Sequence, residues 1–337
     1  MKSIVCLQPD KFVYEEKDVP KVQEGDALIQ IKRIGVCGTD LHAYKGNQPY
    51  FSYPRVLGHE LSGLIEKVGP NQEGLKAGDQ VAVIPYIECG NCIACRRGKP
   101  NCCTDMQVMG VHRDGGMQQY ISVPTKNLMK TGDVTLEEAA IIEPLAIGAH
   151  AVRRSCVAKG EYVLVIGAGP IGLGVMAFAR EQGARVIAMD VNEERLQFCK
   201  EWAKVEATVH ALDNPLQNLE QITNGDLPTI VYDATGNVHS MTQAFQYVAH
   251  GGKLVYVGLV KDEIRFSDPD FHKKELTLMG SRNATREDFK YVLKLLSSGN
   301  MSATNYITHR SSFDEVIDVF ESFLLPESKV IKAIIEV

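Results

Sequence analysis

Residues 163–174 read VLVIGAGPIGLG and decide the fold of the second half of the chain. An apolar, β-branched run leads into a glycine-rich turn, and small apolar residues typical of a helix follow it. The glycines Gly167, Gly169 and Gly172 have the spacing G-x-G-x-x-G. In this context they allow a tight turn, close approach of a pyrophosphate to the backbone, and close packing of helix on strand. The motif predicts a dinucleotide-binding site.

Asp190 ends the next apolar run, RVIAMD, about twenty residues after the glycine loop. An acid at this place accepts hydrogen bonds from a ribose 2′-hydroxyl and repels a 2′-phosphate, which favours NAD over NADP. Arg195 is a counter-argument, although a charged helix face is its commoner explanation. The candidate cofactor-binding residues are Gly167, Gly169, Pro170, Ile171, Gly172, Asp190, Arg195, Thr235, Val257, Gly258, Ser281 and Arg282.

Apolar strands and amphipathic helices alternate regularly over residues 151–285. This pattern predicts an α/β domain of the Rossmann type, a doubly wound parallel sheet with helices on both faces. Residues 1–150 instead contain short strands separated by Gly, Pro and Asp turns, and residues 286–337 end in the strand-like run VIKAIIEV. We therefore expect a β-rich domain, formed by 1–150 and 286–337, into which the Rossmann domain 151–285 is inserted.

The bulk composition excludes several functions. The chain has 337 residues, of which 45% are hydrophobic and 23% charged, with a formal net charge of −6, which argues against binding to nucleic acid or to a membrane surface. No run approaches the ~18 apolar residues of a membrane span. The N-terminus lacks the features of a signal peptide, so we expect a cytoplasmic protein with reduced thiols.

Four of the nine cysteines, Cys89, Cys92, Cys95 and Cys103, form the pattern C-x2-C-x2-C-x7-C. Four thiolates at this spacing suit one tetrahedral structural zinc. An iron–sulfur cluster is the alternative, but the long final gap and the absence of a trailing proline disfavour it. Cys102 is an alternative to Cys103 as the fourth ligand. The remaining cysteines outside the metal-ligand motifs, Cys6, Cys156 and Cys199, are expected to lie in the core.

A second set of metal-ligand residues lies in residues 37–60, CGTDLHAYKGNQPYFSYPRVLGHE. Cys37 follows a strand-like run, and His59 and Glu60 come just before another. Side chains at two strand ends can converge, and a thiol with an imidazole suits zinc. A buried structural cysteine and a core histidine remain the alternative interpretation of this stretch taken alone.

Together these motifs resemble the zinc-dependent medium-chain alcohol and polyol dehydrogenases over essentially the whole chain. GHE at 58–60, the four-cysteine segment, GAGPIG and the β-rich C-terminal return follow in that family's order. Within the family, CGTDLH, IEPLAIGAH and GSRNAT at 280–285 look most like sorbitol dehydrogenase and bacterial sugar-acid dehydrogenases of the gulonate and galactonate 5-dehydrogenase type. The resemblance implies a GroES-like catalytic domain, NAD, and two zinc ions per chain, one catalytic and one structural.

The resemblance also implies the ligands of the catalytic zinc. Cys37 and His59 match two of them, and Glu60 and Glu143 compete for the third position, with water in the fourth. Thr39 matches a hydroxyl beside the metal, and His42 matches the end of a proton relay in some members. A helix N-terminal acid is the alternative reading of Glu143.

The expected reaction is oxidation of a secondary alcohol, with the proton leaving through Thr39 and His42 or through a water held by Glu60 or Glu143. Candidates to line a polar substrate cleft are Tyr44, Phe51, His112 and Arg282. Arg282 would pair with a sugar-acid carboxylate, contact the cofactor, or be a solvated loop arginine.

Two other functions remain open from the sequence. Threonine 3-dehydrogenases share the zinc, NAD and four-cysteine features, and a regulatory homologue would keep the fold without turnover. A zinc-free quinone reductase is excluded because it would lack both cysteine sets. For the assembly we expect a homodimer or homotetramer, formed through KLVYVGLV as an edge strand.

Overall fold

The computed structural model describes residues 1–48 and 51–337, and the chain divides into two compact units. The first unit is formed by two stretches, Met1–Glu143 and Thr285–Val337. The second is the continuous stretch Pro144–Ala284.

The strands of the described residues are β1 (Lys2–Gln8), β2 (Lys11–Glu16), β3 (Asp26–Val36), β4 (Glu60–Val68), β5 (Gln80–Val83), β6 (Tyr86–Ile87), β7 (Gln107–Val108), β8 (Tyr120–Pro124), β9 (Leu128–Lys130), β10 (Tyr162–Ile166), β11 (Arg185–Asp190), β12 (Ala207–His210), β13 (Ile230–Asp233), β14 (Lys253–Tyr256), β15 (Thr277–Gly280), β16 (Ile307–Ser312) and β17 (Lys332–Glu336).

The α-helices are α1 (Gly38–Tyr44), α2 (Ile93–Arg96), α3 (Leu136–Ala140), α4 (Ile142–Ser155), α5 (Pro170–Glu181), α6 (Glu193–Phe198), α7 (Pro215–Ile222), α8 (Val238–Gln243), α9 (Asp268–Lys273), α10 (Arg286–Ser297) and α11 (Val316–Val319). A π-helical turn, Cys199–Ala203, continues α6. Short 3₁₀ turns cover Pro100–Cys102, Thr125–Asn127, Ala244–Tyr247, Phe320–Leu324 and Pro326–Ser328.

The main sheet of the first unit has the strand order β16-β17-β3-β4-β5-β9, and β8 also pairs with β3. Its alternating strands place one face on a core that includes Ile29, Ile31, Leu61 and Val81, all at most 2% exposed. β17 pairs antiparallel with β3 and parallel with β16. The C-terminal stretch is therefore part of the same sheet as the N-terminal strands. β16 is a strand that the sequence patterns did not predict.

The second unit contains a parallel sheet of order β12-β11-β10-β13-β14-β15. The order reverses between β10 and β13, and this is the switch point at which doubly wound sheets bind ligands. Leu164, Ile187, Val231 and Leu254 contribute fully buried side chains to its core. The predicted Rossmann-type parallel sheet is confirmed.

The prediction that KLVYVGLV forms an edge strand was wrong. Its ordered part, β14, lies between β13 and β15 and is hydrogen-bonded on both sides. The sheet gains another parallel strand after α9, so within the described residues its two edge strands are β15 and β12.

Among the helices that the structure describes, none combines the length and the apolar character needed to cross a membrane.

Candidate functional site

The residues predicted to hold a catalytic metal converge at one end of the sheet of the first unit. β3 and β4 are antiparallel with Gly35 opposite Glu60, so the residues after β3 and before β4 meet. The sulfur of Cys37, a ring nitrogen of His59 and a carboxylate oxygen of Glu60 lie within 4.8 Å of one another. We call this set the Cys37 cluster. Glycine is needed at Gly35, because a Cβ there would lie 2.0 Å from Glu60 Oε2.

Asp40 supports the Cys37 cluster from α1. Its side chain is 1% exposed and accepts hydrogen bonds from the backbone N–H of Cys37, at 2.9 Å, and of Gly58, at 3.1 Å. Asp40 Oδ1 also lies 3.7 Å from His59 Nδ1, a buried atom with no hydrogen-bond partner among the described residues. A carboxylate facing one ring nitrogen orients a histidine whose other nitrogen binds a metal. Asp40 was not predicted from the sequence, although its position three residues after Cys37 fits a helix N-cap box.

Lys332 was also missed, and it forms a buried ion pair with Glu60. Its Nζ donates to Oε1 at 2.7 Å and to Oε2 at 2.8 Å, and also to the Val36 carbonyl at 3.1 Å. Burial lowers the pKa of Lys332, but the negative charges of Glu60 and Cys37 outweigh it and raise the pKa overall, so the lysine stays charged. The available signal was a lysine inside the apolar run VIKAIIEV.

Glu143, the other predicted carboxylate ligand, lies in the first turn of α4 and is 5% exposed. Tyr86 donates a hydrogen bond from its hydroxyl to Glu143 Oε1. Burial raises the pKa of Glu143 to about 7, an effect that His59 opposes and Glu60 reinforces. Glu143 thus interacts electrostatically with His59 and Glu60, although it lies outside the Cys37 cluster.

The predicted proton-relay residues share one face of α1. Thr39 is half-buried near the start of the helix, and His42 is exposed in its last turn. Residues three apart are neighbours on a helix surface, so the two side chains lie next to each other on α1.

The predicted cleft residues have different surroundings. Tyr44 is 8% exposed and stacks on Phe12 with ring centroids 5.0 Å apart, so core packing explains its ring. Phe51 packs edge-on against Tyr53, and His112 accepts a hydrogen bond at Nδ1 from the backbone of Val108. Arg282 is exposed in the segment after β15.

The four predicted lobe cysteines form a second cluster of potential ligand atoms within 4.8 Å: Cys89, Cys92, Cys95 and Cys103. We call their segment, residues 89–103, the four-cysteine lobe. Backbone N–H groups of Cys95 and Thr104 lower the pKa of Cys92 to about 5, so this sulfur is a ready thiolate. Cys102 is exposed and outside the cluster.

The other three cysteines do not all lie in the core. Cys6 and Cys199 are buried as predicted, whereas Cys156 is exposed. That prediction was wrong because α4 ends at Ser155 and Cys156 adopts a left-handed conformation, φ 55°, outside the apolar face of the helix.

The glycine loop of the second unit has the predicted geometry. Gly167 has φ 99°, and Gly169 caps α5, whose first residue is Pro170. A Cβ on Gly172 would lie 1.8 Å from the Gly167 carbonyl oxygen, so a side chain there would prevent the helix from packing on the strand. Asp190 fixes the loop, because its Oδ2 accepts a hydrogen bond from Ala168 N at 2.6 Å.

The remaining cofactor candidates follow the carboxyl ends of neighbouring parallel strands. Thr235 follows β13, Val257 and Gly258 follow β14, and Ser281 follows β15. These ends share the sheet edge at which nucleotides bind. The Ser281 hydroxyl is buried with no hydrogen-bond partner among the described residues, which fits a role in binding a ligand. Arg195 is half-buried in the last turn of α6.

The parallel sheet with its glycine loop and the two sets of metal-ligand side chains are typical of a metal-dependent dehydrogenase. Comparison with known protein families and relatives supports this class. The model of the alcohol dehydrogenase GroES-like domain matches residues 23–133, and the zinc-binding dehydrogenase model matches residues 170–298. The chain belongs to the zinc-binding alcohol dehydrogenase family. This confirms the predicted fold class and enzyme class.

Individual relatives cover nearly the whole chain. L-galactonate-5-dehydrogenase of Escherichia coli K12 is 45% identical over 335 residues, which are 99% of this chain and 98% of the relative. The crystal structure of an alcohol dehydrogenase (rspB) from E. coli CFT073 with NADH has a TM-score of 0.93 at 32% identity, covering 100% and 99% of the two chains. Galactitol-1-phosphate dehydrogenase from E. coli has a TM-score of 0.92 at 27% identity, covering 100% of both.

Proposed function

We propose that this chain oxidises a secondary hydroxyl of a sugar acid or polyol with NAD, in a zinc-dependent reaction that gives a keto-acid or ketose. The observation that carries the proposal is the Cys37 cluster, a half-buried thiol beside a buried imidazole and a buried carboxylate, in a chain similar to L-galactonate-5-dehydrogenase. These donors suit zinc in a catalytic site, where three protein ligands leave a position open. The first unit would carry the catalytic zinc and the second the NAD.

The catalytic zinc would be held by Cys37, His59 and Glu60, with Glu143 as a second carboxylate close to the site. Lys332 compensates the charge of Glu60 and fixes its direction. The four-cysteine lobe would hold the structural zinc through Cys89, Cys92, Cys95 and Cys103. When bound, the catalytic zinc polarises the substrate hydroxyl and the nicotinamide accepts the hydride.

The chain's own residues would orient the cofactor and remove the proton. Asp190 would accept hydrogen bonds from the adenosine ribose, and the N–H groups of the glycine loop would bind the pyrophosphate. The Thr39 hydroxyl would accept the substrate's proton while passing its own proton on toward His42, at the exposed end of α1, which would release a proton to solvent.

A substrate panel tests the proposal. Purified protein is incubated with L-galactonate, L-gulonate, sorbitol and threonine, each with NAD or NADP, and NADH or NADPH formation is followed by absorbance. We expect turnover of a sugar acid or polyol with NAD. Turnover of threonine alone would establish the threonine 3-dehydrogenase alternative, and no turnover of any hydroxyl substrate would favour the regulatory homologue.

We also propose a homodimeric or homotetrameric cytoplasmic protein. Within the described residues β15 pairs only with β14, and its Leu278 is 40% exposed. An unpaired strand edge with an exposed apolar side chain favours association with another copy. Light scattering of the purified chain measures the assembly directly, and a monomer at working concentrations would contradict it.

A further inference from the structure

The geometry points to Tyr86 as a positioning residue for Glu143, held in place by the base of the four-cysteine lobe. The inference rests on the proposed zinc chemistry of the Cys37 cluster. It concerns how the second carboxylate near that cluster is aimed.

The first observation is the hydrogen bond between two buried side chains. Tyr86 is 6% exposed and Glu143 5%, and the Tyr86 hydroxyl donates to Glu143 Oε1. A donor fixed on Oε1 sets the direction of Oε2. Fixing a carboxylate through one oxygen is how outer residues orient the groups that face a metal.

Core packing explains the ring of Tyr86 but not its hydroxyl. The ring packs edge-on against Phe289, with centroids 6.3 Å apart and planes at 79°. A phenylalanine at position 86 would keep this contact. Burying a phenol hydroxyl without a hydrogen-bond partner costs free energy. Glu143 is the partner of the Tyr86 hydroxyl, so the hydroxyl is explained by its bond to Glu143.

The backbone of Tyr86 belongs to the base of the four-cysteine lobe. β6 and β7 are paired with Tyr86 opposite Val108, and they enclose the lobe at its two ends. Asn127, 3% exposed, donates from Nδ2 to the carbonyls of Ile84 and Tyr86, each at 2.9 Å. Cys89 follows Tyr86 by three residues. Tyr86 is therefore held on one side by the lobe and on the other by a buried asparagine, and its side chain transmits that position to Glu143.

The test compares Tyr86→Phe with Tyr14→Phe, a control that removes a surface hydroxyl bonded to the carbonyls of Phe313 and Asp314. Zinc is withdrawn from each purified chain with EDTA while metal and free thiols are counted. In Tyr86→Phe we expect zinc to leave the Cys37 cluster about 10- to 100-fold more easily, while the lobe keeps its zinc. Tyr14→Phe should match the unmodified chain. Unchanged retention in Tyr86→Phe overturns the inference.

A double-variant cycle separates positioning from general loosening. If Tyr86 acts through Glu143, Tyr86→Phe should have no further effect on zinc retention in a Glu143→Ala background. An undiminished effect there would show that Tyr86 acts in another way and overturn the inference. If Tyr86→Phe does not fold, Asn127→Ala tests the same link, with weaker zinc retention expected at the Cys37 cluster and equal retention contradicting it. Because the readout is zinc retention, a chain that oxidises no hydroxyl substrate would contradict the proposed function alone.

Discussion

Lys332 Nζ bonds to both carboxylate oxygens of Glu60, at 2.7 and 2.8 Å, and the two residues are at most 2% exposed. Such a pair stabilises a fold weakly compared with apolar residues of the same volume, yet losing one partner leaves a bare buried charge. The role of this ion pair is to orient a side chain, because Lys332 holds the Glu60 carboxylate beside Cys37 and His59.

Lys332→Met should destabilise the first unit by about 3–5 kcal/mol, because Glu60 would then be buried without a counter-charge. Urea unfolding measures the change. Lys332→Arg, which keeps the charge, serves as the control and should lose less. The double variant Glu60→Gln with Lys332→Met should recover much of the loss, and a simple sum of the two single effects would contradict the pairing.

Cys37→Ala and His59→Ala should each abolish dehydrogenase activity, since each removes a proposed ligand of the catalytic zinc. Binding of NADH, followed by its fluorescence, should be unchanged in both because the glycine loop lies in the other unit. Cys6→Ala provides a cysteine control outside the cluster. Normal turnover in either ligand variant would refute the assigned metal site.

Asp190→Ala should weaken NAD binding about 10- to 100-fold, because the ribose 2′-hydroxyl loses a charged hydrogen-bond acceptor. It should also shift the preference toward NADP, because the negative charge that repels a 2′-phosphate is lost. Asp190→Asn keeps an oxygen for Ala168 N and so controls for loosening of the glycine loop. Affinities for the two cofactors are measured by titration calorimetry. An unaltered ratio of the affinities would rule out a selective function for Asp190.

Metal analysis should find two zinc ions per chain, and Cys92→Ser should lower the count to one if the protein remains folded. Elemental analysis of the purified chain gives the count. A brown protein with visible charge-transfer bands would instead identify an iron–sulfur cluster in the four-cysteine lobe.

Alkylation at pH 8 should label Cys102 and Cys156 first. Both are exposed, whereas burial raises the pKa of Cys6 and of Cys199 to about 12. The thiolate is the reactive form, and a thiol with so high a pKa remains protonated at pH 8. Peptide mapping by mass spectrometry identifies the labelled residues. Labelling of Cys103 with Cys102 protected, while zinc is retained, would assign the fourth ligand to Cys102.

The sequence predicted the elements whose signal is local. The glycine loop, Asp190 and the four-cysteine lobe each have their chemistry within a few residues, so spacing alone identified them. The ends of two recognisable strands suggested Cys37 and His59 as metal ligands, and the family resemblance added Glu60 as a candidate for the third.

The sequence could not predict contacts between residues far apart along the chain. Lys332 reaches Glu60 across 272 positions, and its partner is set by the pairing of β17 with β3. Tyr86 in β6 likewise reaches Glu143 in α4 across 57 positions. The edge-strand error has the same cause, because the pairing of β15 with β14 is set by the fold and not by the local pattern of either strand.

The division of the first unit between Met1–Glu143 and Thr285–Val337 has a consequence for biosynthesis. A ribosome completes every strand of the second unit before it reaches β17. Until then β3 lacks one neighbour and Glu60 has no cation beside it. Domains made of continuous chain can fold during translation, whereas this sheet cannot be completed until β17, which is distant in sequence, pairs with β3. The nascent chain therefore has the means to bind its nucleotide before it can complete the surroundings of its catalytic metal.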